Sequence, residues 1–503
     1  MVDERIAMNP NQVVQYLGKP PEEFTKADLM RFIEAKSIRA VNFRFVGGDG
    51  RLKTLNFVIT SKDQLDRLLS GGERVDGSSL FTYIDAASSD LYGVPRYRTA
   101  YINPFASIPT LDILCSYYTK DGTRLESSPE NVLKRAHDVL KQTTSFSLEA
   151  MGELEYYVLF GRQHLYPTRA QKGYQESSPF CKWEVLRYEA MQAIAQAGGK
   201  IKYGHSEVGY IPGDEKDMEQ NEIEFIPVPL EDAADQIVIA KWALRMIGYR
   251  YGVEVSFAPK IAVGHAGNGL HIHTRLMKNG KNAMIEGGKL GDTARRVIAG
   301  YLALAPSLTA FGNTIPLSFL RLVPHQEAPT NICWGDRNRS VLVRVPLGWL
   351  NVGDMARDAN PQESQEGDKV ASFGESQTVE FRAADGSANI YFMLAGLAVA
   401  ARHGLGMQDA LEVADRLYVD VNIFAAQHKK YQDKLPQMPT SCWESAERLL
   451  GDRAIYEEDG VFPPGLVDGL VKVLKGYDDR DLSERYYGKG DEIKKLVDEY
   501  FNC

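Results

Sequence analysis

Residues 152–160 read GELEYYVLF, a run of branched and aromatic side chains that also carries two carboxylates. Such residues favour β-strands, and successive side chains of a strand point to opposite faces. Glu153 and Glu155 therefore share one face, whereas Leu154 and Tyr156 lie on the other. The stretch predicts a strand in a sheet with one acidic face and one apolar face.

Three further predicted strands carry Glu, His or Arg two positions apart. The pairs are Glu222/Glu224 in QNEIEFIPV, His271/His273 in GLHIHTRL and Glu380/Arg382 in TVEFRAAD, and Glu207 lies nearby in GHSEVGY. One such pair is typical of an ordinary solvated strand face, but four pairs of almost only carboxylate, imidazole and guanidinium favour a shared site. Converging carboxylates repel one another unless cations are bound, and oxygen ligands favour Mg²⁺ or Mn²⁺ over zinc. We expect two or more divalent ions.

A second group of candidate residues is basic. It consists of Arg321, Arg337, Arg339 and Arg344. Arginine binds carboxylates and phosphates through two parallel hydrogen bonds, so arginines beside divalent ions indicate an anionic, phosphorylated substrate. For Arg337 a surface ion pair is an equally good interpretation, whereas Arg344 lies inside the apolar run SVLVRVP. The stretch GHAGNG at 264–269 matches neither common nucleotide-binding glycine motif, so metals and arginines must hold any ATP.

Composition narrows the class of protein. The 58 basic and 67 acidic residues give a net charge of −9, which predicts no nucleic-acid partner. The five cysteines are scattered, which predicts reduced thiols and a cytoplasmic protein. Residues 1–12 lack a signal-peptide pattern. The longest apolar run, Tyr391–Ala401, is well short of the ~20 residues that span a bilayer, so we expect a buried core helix and no membrane.

The pattern along the chain predicts two domains after an N-terminal extension at 1–24. Residues 25–120 alternate short apolar stretches with turns, which indicates a small strand-rich domain. Ser128 and Pro129 form a helix start, so we place the boundary near residue 120 and a larger domain at 121–503. Helices are expected at Trp183–Gln196 and Glu231–Tyr251, and a surface loop at Gly353–Gln377.

Eight motifs together resemble bacterial and archaeal class I glutamine synthetases in order and approximate spacing. They are VDGSS at 75–79, GELE at 152–155, HSEV at 205–208, QNE at 220–222, GLHIH at 269–273, RLVPxxEAP at 321–329, RNRS at 337–340 and VEFR at 379–382. The resemblance implies an α+β fold with an N-terminal β-grasp domain and a catalytic domain whose curved antiparallel sheet, flanked by helices, forms a funnel. It also implies a homo-oligomer, a dodecamer of two hexameric rings, in which a neighbouring subunit's β-grasp domain completes each funnel.

The resemblance further implies a role for individual residues. One cation is held by Glu155, Glu207 and Glu222, and the other by Glu153, His271 and Glu380. Glutamate is bound by Tyr174, Gly267, Arg321, Glu327 and Arg382, and ATP by His273, Arg339 and Arg344. Catalysis involves Asp76 as the base, with Glu327 and Arg339. Without the resemblance, Asp76 in the stretch DGSS would be interpreted as a turn residue.

The implied reaction has two steps. The γ-carboxylate of glutamate attacks ATP to give γ-glutamyl phosphate, and ammonia then displaces phosphate to give glutamine. One alternative is a γ-glutamyl ligase for a polyamine or an alkylamine. A second alternative is an inactive structural homologue, whose expected signature is loss of metal ligands, yet all six are present.

The sequence departs from the family pattern at several places: the loop at Gly353–Gln377 is longer, the spacing between Glu207 and Glu222 is enlarged, and two changes affect substrate contacts. Ala266 stands where the family has an asparagine that grips the glutamate backbone, and Asn268 is displaced from that position. Ser376, Gln377 and Thr378 replace the basic residues that usually precede the E-x-R motif. We therefore expect changes in the contacts to the acid substrate and to the nucleotide.

Overall fold

The computed structural model describes residues 6–323, 329–348, 355–360, 362, 376–486 and 489–503. The N-terminal part is a mixed sheet with helices. Its strands are β1 Ala40–Val46, β2 Leu52–Val58, β3 Glu73–Asp76, β4 Asp90–Pro95, β5 Tyr101–Ile102 and β6 Thr110–Thr119, and its helices are α1 Gln12–Leu17, α2 Lys26–Ala35, α3 Lys62–Gly71 and α4 Gly77–Leu80. The strand order is β2-β1-β6-β4-β3, with β5 on β6, and β1 pairs with β6 in parallel.

The N-terminal sheet and its helices share one apolar core. Thr25 begins α2 because its hydroxyl accepts from the Asp28 amide while the Asp28 carboxylate accepts from the Thr25 amide. Phe32 of this helix packs with Phe43 of β1, and Val13 of α1 lies in the same core. The α1 segment, which was predicted as an extension, is thus packed onto the sheet.

The larger sheet contains the acidic strands. The remaining strands are β7 Ser147–Gly161, β8 Ile201–Ile211, β9 Lys216–Phe225, β10 Val228–Pro229, β11 Glu254–Ser256, β12 Leu270–Lys278, β13 Lys281–Asn282, β14 Ile285–Glu286, β15 Lys289–Leu290, β16 Trp334–Asp336, β17 Val343–Val345 and β18 Val379–Phe381. The order is β16-β17-β18-β12-β7-β9-β8, with β10 and β11 on β7 and β13 on β12, while β14 and β15 form a separate pair. Pairing is antiparallel except between β16 and β17.

Helices of the larger part pack on this sheet and on one another. They are α5 Pro129–Thr144, α6 Glu184–Gln196, α7 Leu230–Tyr251, α8 Asp292–Gly312, α9 Ser318–Arg321, α10 Met355–Ala359, α11 Ile390–Gly406, α12 Ala410–Arg416, α13 Lys429–Gln432, α14 Cys442–Gly451, α15 Arg453–Glu457, α16 Pro464–Gly476, α17 Leu482–Tyr486 and α18 Gly490–Tyr500. Of these, α5, α6, α7 and α8 contact this sheet, and others, such as α11 and α14, pack on those helices. The predicted starts of α5, α6 and α7 are confirmed to within one residue. The α+β fold class predicted above is confirmed.

The buried helix predicted around Tyr391–Ala401 is α11, which packs closely against α8. A side chain at Gly300 would place its Cβ 2.0 Å from the carbonyl oxygen of Ala400, so the two helices approach at glycine. Within the described residues no single helix is long and apolar enough to cross a membrane. The pair α11 and α12 reaches that length and composition together, but with a bend of 107° between them.

Charged contacts join the N-terminal sheet to α7. Arg96 donates two hydrogen bonds of 2.9 Å to the carboxylate of Asp235, which also accepts from the Tyr391 hydroxyl at 2.7 Å. The Arg44 guanidinium lies 4.4 Å from the ring centre of Trp242. Since Asp235 is buried, its charge depends on these donors.

Replacing Arg96 with alanine leaves the buried Asp235 carboxylate without its paired donors. We expect the free energy of unfolding to fall by about 3 kcal/mol, because the Tyr391 hydroxyl remains as partial compensation. Urea denaturation followed by tryptophan fluorescence measures this. Arg74→Ala is the control, because Arg74 and Asp90 form an exposed pair at 3.9 Å. Equal losses of unfolding free energy in the two variants would show that the Arg96–Asp235 contact stabilises the protein no more than an exposed ion pair does.

Candidate active site

The register of the large sheet places the acidic pairs side by side. Across β7, Glu153 faces His271 of β12 and Glu224 of β9, while Glu155 faces Glu222. Further along, Glu222 faces His205 of β8, and Glu380 of β18 faces His273 and Arg344. Directly opposed side chains on one sheet face lie close enough to interact. The convergence predicted from the four strands is therefore confirmed by the pairing, and these residues line a cavity of about 680 Å³.

One cluster centres on Glu153. Its two oxygens lie 2.9 Å from His271 Nδ1 and 2.8 Å from His273 Nε2. Glu380 closes the cluster at 3.6 Å from His271 Nδ1. Donor atoms of Glu153, His273 and Glu380 lie within 4.8 Å of one another, which is the spacing for ligands of one cation. Both histidines of the predicted strand thus reach the same pair of carboxylates.

Burial and the charges of neighbouring groups shift the pKa values of Glu153, His271 and His273. Burial opposes ionisation of Glu153, but the charge of His273 and the hydrogen bonds from His271 and His273 hold its pKa well below the usual range. Burial lowers the pKa of His271. For His273 burial acts in the same direction, but Glu153 outweighs it and raises the pKa. Glu153 and His273 thus stabilise each other's charged form.

A second cluster lies on β8 and β9. His205 Nε2 is 3.2 Å from Glu222 Oε1, and His205 Nδ1 is 3.9 Å from Glu207 Oε1. Donor atoms of these three residues also lie within 4.8 Å of one another. Glu155, the predicted third ligand, accepts from the Gly269 amide at 2.6 Å and lines the same cavity.

The ionised form of Glu222 is strongly disfavoured in this second cluster. Burial raises its pKa well above the usual range, and the charges of Glu153, Glu155 and Glu207 raise it further. A carboxylate in this setting is stable only when a proton or a cation compensates it. Oxygen and imidazole donors at this spacing fit a hard divalent ion, so the residues present suit Mg²⁺ or Mn²⁺.

Arginines form one wall of the cavity. Arg344 lies 2.9 Å from Glu380 Oε2, and Arg382 Nε lies 3.0 Å from Glu380 Oε1. Arg339 lines the cavity, and its carbonyl accepts a hydrogen bond from Arg382. Arg321 is buried and donates to the carbonyls of Ala383 and Ala384, so it supports the strand that carries Arg382. The structure thus places three of the five predicted arginines at the acidic clusters and Arg321 behind them, whereas Arg337 is exposed and does not line this cavity.

The other predicted residues are spread more widely. Tyr174 lines the cavity, and its ring meets the ring of His205 edge-on at 5.5 Å. At Gly267 a Cβ would come within 2.3 Å of the Pro259 carbonyl oxygen, so glycine is required there. Asp76 lies in the N-terminal part, is exposed and does not line the cavity of its own chain. Glu327 lies outside the described residues, as does most of the predicted loop at 353–377.

The structure shows the contacts of residues at which the sequence departs from the family pattern. Asn268 is buried and donates to the carbonyls of Ser256 and Ala258, so its amide holds the backbone beside the site. The carbonyl of Ala266 accepts from Tyr157 at 2.9 Å. Thr378 lines the cavity and meets His273 Nδ1 at 2.9 Å. The changed residues after the loop therefore reach the first cluster.

Some site residues were not selected from the sequence. His205 belongs to the second cluster, and the motif HSEV contained it, but only its glutamate was chosen. Glu224 lines the cavity and pairs with Lys202 at 2.5 Å. The period-two spacing of Glu222 and Glu224 already placed Glu224 on the shared face, but the family resemblance assigned it no role. No motif or spacing pointed to Lys202, which lies on β8.

Two family models match the chain. The model "Glutamine synthetase, beta-Grasp domain" matches residues 37–120, and "Glutamine synthetase, catalytic domain" matches residues 126–476. This chain belongs to the glutamine synthetase family. It is accordingly a member of a family of ATP-dependent ligases that use divalent metal ions.

Curated glutamine synthetases match at low identity over most of their length. The protein from Thermus thermophilus is 28% identical over 449 residues, which covers 87% of this chain and 92% of the relative. The protein from Clostridium saccharobutylicum is 28% identical over 450 residues, covering 86% and 92%. This identity supports the family but leaves the choice of substrates within it open.

Solved structures of the same fold include glutamine synthetase of Plasmodium falciparum, with a TM-score of 0.72 and 18% identity, covering 93% of this chain and 98% of that chain. A GmaS–ADP complex gives a TM-score of 0.70 and 16% identity, covering 92% and 99%. At these identities the likeness shows the fold alone. The predicted β-grasp and catalytic folds are therefore confirmed.

Replacing Glu222 with glutamine removes one of the mutually repelling buried charges. Without divalent ions, we expect the variant to unfold at a higher temperature than the parent protein. With Mn²⁺ at about 100 times its Kd, the parent gains about 2.7 kcal/mol and the variant much less, because a ligand is lost. Thermal unfolding in EDTA and in Mn²⁺ measures both effects. The exposed Glu412→Gln serves as control, and equal Mn²⁺ stabilisation of Glu222→Gln and parent would disprove the role of Glu222.

Proposed function

We propose that this chain joins ammonia to the γ-carboxylate of glutamate with ATP, through γ-glutamyl phosphate, and releases glutamine, ADP and phosphate. The observation that carries the proposal is the pair of buried carboxylate–imidazole clusters beside Arg339, Arg344 and Arg382 in one cavity. Membership of the ligase family supports the reaction type. An inactive structural homologue is disfavoured because the predicted metal ligands are retained.

The residues of the cavity have different proposed roles. Glu153, Glu155, Glu207, Glu222, His271 and Glu380 are the proposed metal ligands, with Mg²⁺ or Mn²⁺ as the ions. Two bound ions would neutralise phosphate oxygens and stabilise charge on the transferred phosphoryl group. Arg339 and Arg344 hold the phosphates of ATP through bidentate donors, with His273 on the same side. Tyr174, Gly267, Arg321, Glu327 and Arg382 are the proposed glutamate-binding residues.

Asp76 is the proposed base for the incoming ammonium. Its carboxylate accepts from the hydroxyl of Ser79 at 2.6 Å and from that of Ser78 at 2.8 Å. These hydrogen bonds lower its pKa, so the side chain is ionised and attracts a cation. Because Asp76 is exposed and does not line the cavity of its own chain, we propose that it acts in the cavity of a neighbouring subunit. A dodecamer of two hexameric rings provides such neighbours.

The cysteines are consistent with the proposed cytoplasmic location. Cys115, Cys181, Cys333 and Cys442 are buried, and all five thiols of the chain are unpaired. Burial raises the pKa of Cys333 to about 12, so this thiol is protonated and inert at neutral pH.

The first test concerns the amine. With Mg²⁺, ATP and glutamate, we expect ammonium to support phosphate release at a higher kcat/KM than alkylamines or polyamines, because a small cation suits the ionised Asp76. Phosphate release and product mass spectrometry across the amine panel measure this. Reactions without glutamate or with EDTA are the controls. Turnover with an alkylamine or a polyamine but not with ammonium would replace glutamine synthesis by the alternative ligase reaction.

The second test concerns Asp76. Asp76→Ala should lower the rate of amide formation by about 10²-fold or more, since a positioned base contributes that much. The affinity for ATP should change little, because Asp76 lies in the other domain. Quenched-flow measurement of amide formation and equilibrium binding of ATP separate the two effects. Equal losses in both would indicate a structural role for Asp76.

A mixing experiment tests the shared site. Asp76→Ala and Glu222→Gln chains, each inactive alone, are co-expressed with different tags and purified as mixed assemblies. If Asp76 acts in a neighbour's cavity, about one site in four of a random mixture combines Glu222 of one chain with Asp76 of its neighbour. Activity then returns. Mixed assemblies that remain as inactive as the separate variants would contradict a site shared between subunits.

A further inference from the structure

Lys202 is a cavity residue that has no role in the reaction proposed above. It lies on β8, between Ile201 and Tyr203. Ile201 pairs with Phe225 of β9. Tyr203 pairs with the preceding residue of β9, Glu224, so Lys202 has no register partner on that strand. Lys202 is therefore the extra residue of a β-bulge, an irregularity that redirects side chains.

The bulge determines which face of the sheet Lys202 occupies. In a regular strand successive side chains point to opposite faces, so only one of Lys202 and Tyr203 would reach the cavity. Here both of them line it, together with Glu224. Phe225, the partner of Ile201, is instead buried in the apolar core. The bulge thus brings into the cavity an ammonium group that regular alternation would direct away from it.

Two neighbours hold the Lys202 ammonium at the cavity wall. Its Nζ atom lies 2.5 Å from Glu224 Oε1 and 4.9 Å from the ring centre of Tyr203. The Lys202 side chain is 47% exposed, although that of Glu224 is only 3% exposed. Arg344 and Arg275 line the same cavity, and their side chains are 20% and 18% exposed. Of these three cations, Lys202 is the most accessible to a ligand.

Lys202 lies beside the first acidic cluster. Its partner Glu224 faces Glu153 across β9 and β7. Glu153 Oε1 is 2.8 Å from His273 Nε2, and His273 is assigned to the ATP side of the cavity in the proposed function. Lys202 therefore borders the part of the cavity that would hold the nucleotide.

Beyond Lys202, the strands carry an apolar surface. The Ile226 amide donates to the Lys200 carbonyl, one step further along β9 and β8 than Glu224 and Lys202. Ile226 is 44% exposed and lines the cavity beside Pro227. Exposed apolar side chains at a cavity suit the flat face of a nucleotide base. Along the strands the order is therefore acidic clusters, Lys202 and apolar surface.

We propose that the Lys202 ammonium binds the phosphates of the nucleotide that are not transferred. The proposal rests on the proposed function, because it takes ATP as the substrate. With the transferred phosphate at the acidic clusters and the base on the apolar surface, the other phosphates lie between them, next to Lys202. Lysine binds phosphate as a compact point charge, so it needs no fixed pairing geometry. Glu224 holds the ammonium at the wall before the nucleotide binds.

Equilibrium binding of adenosine, ADP and a non-hydrolysable ATP analogue tests the assignment on the whole protein in Mg²⁺. Lys202→Met should weaken binding of ADP and of the analogue equally, by about tenfold, which is the loss expected for one charged hydrogen bond. Binding of adenosine, measured by competition, should not change. Lys202→Arg should retain part of the ADP affinity, because the positive charge remains. Lys200→Met removes an exposed charge two residues away and is the control.

A double variant separates phosphate binding from simple neutralisation of Glu224. If Lys202 only cancels the Glu224 charge, Lys202→Met/Glu224→Gln should bind ADP as tightly as Glu224→Gln alone. If Lys202 binds phosphate, the double variant should bind ADP about tenfold more weakly than Glu224→Gln. Equal ADP affinities of these two variants would overturn the proposal. Equal losses of adenosine and ADP affinity in Lys202→Met would also overturn it, since they place the contact at the nucleoside.

The outcomes distinguish this proposal from the proposed function. ADP binding needs no turnover, so a protein that binds ADP through Lys202 but makes no glutamine contradicts only the ligase reaction. A protein that makes glutamine, but whose ADP affinity is unchanged in Lys202→Met, contradicts only the role of Lys202. Failure of the parent protein to bind any nucleotide contradicts both. Circular dichroism establishes that each variant is folded, and Lys202→Gln replaces Lys202→Met if the latter is not.

Discussion

Repulsion between buried carboxylates is the constraint on which the catalytic domain depends. Glu153, Glu155, Glu222 and Glu224 lie on two paired strands, directly opposite one another. At such separations like charges inside a protein destabilise the fold unless something compensates them. Histidines, Lys202 and arginines of neighbouring strands supply that compensation. Burial and the neighbouring carboxylates still raise the pKa of Glu222 well above its usual range, so a bound cation would stabilise the cluster.

The rest of the fold holds these charges in position. On the opposite face of β7, Leu154, Tyr156 and Val158 are buried beneath helices, so the strand cannot rotate to relieve the repulsion. Arg321 holds the carbonyls that follow Arg382, and Asn268 holds the backbone before β12. These buried polar contacts fix the backbone of the strands that carry the ligands. Such support is what keeps a charged site in one geometry.

Much of this arrangement could be predicted from local sequence patterns. The features that depend on long-range strand register could not. Period-two spacing found the four acidic strands, and Ser128-Pro129 found the start of α5. Which histidine meets which carboxylate depends on strand pairing, which one sequence does not specify. On β8 the register shifts between Ser206 and Tyr210, so the partner of Glu207 across β9 could not be predicted from regular pairing. Asp76 could be proposed only through family resemblance, because its loop is chemically ordinary.

The proposed division of the site between two domains explains why the metal ligands indicate little about the amine. The clusters lie within one sheet, and the family chemistry of phosphoryl transfer depends on that sheet. Under the proposed function the amine would meet Asp76, which ends β3, caps α4 and is held by hydrogen bonds from Ser78 and Ser79. Changes there leave the register of the sheet intact. At 28% identity to curated relatives, retention of the clusters therefore supports ligase chemistry, while in the proposed function the choice of amine depends on the surroundings of Asp76.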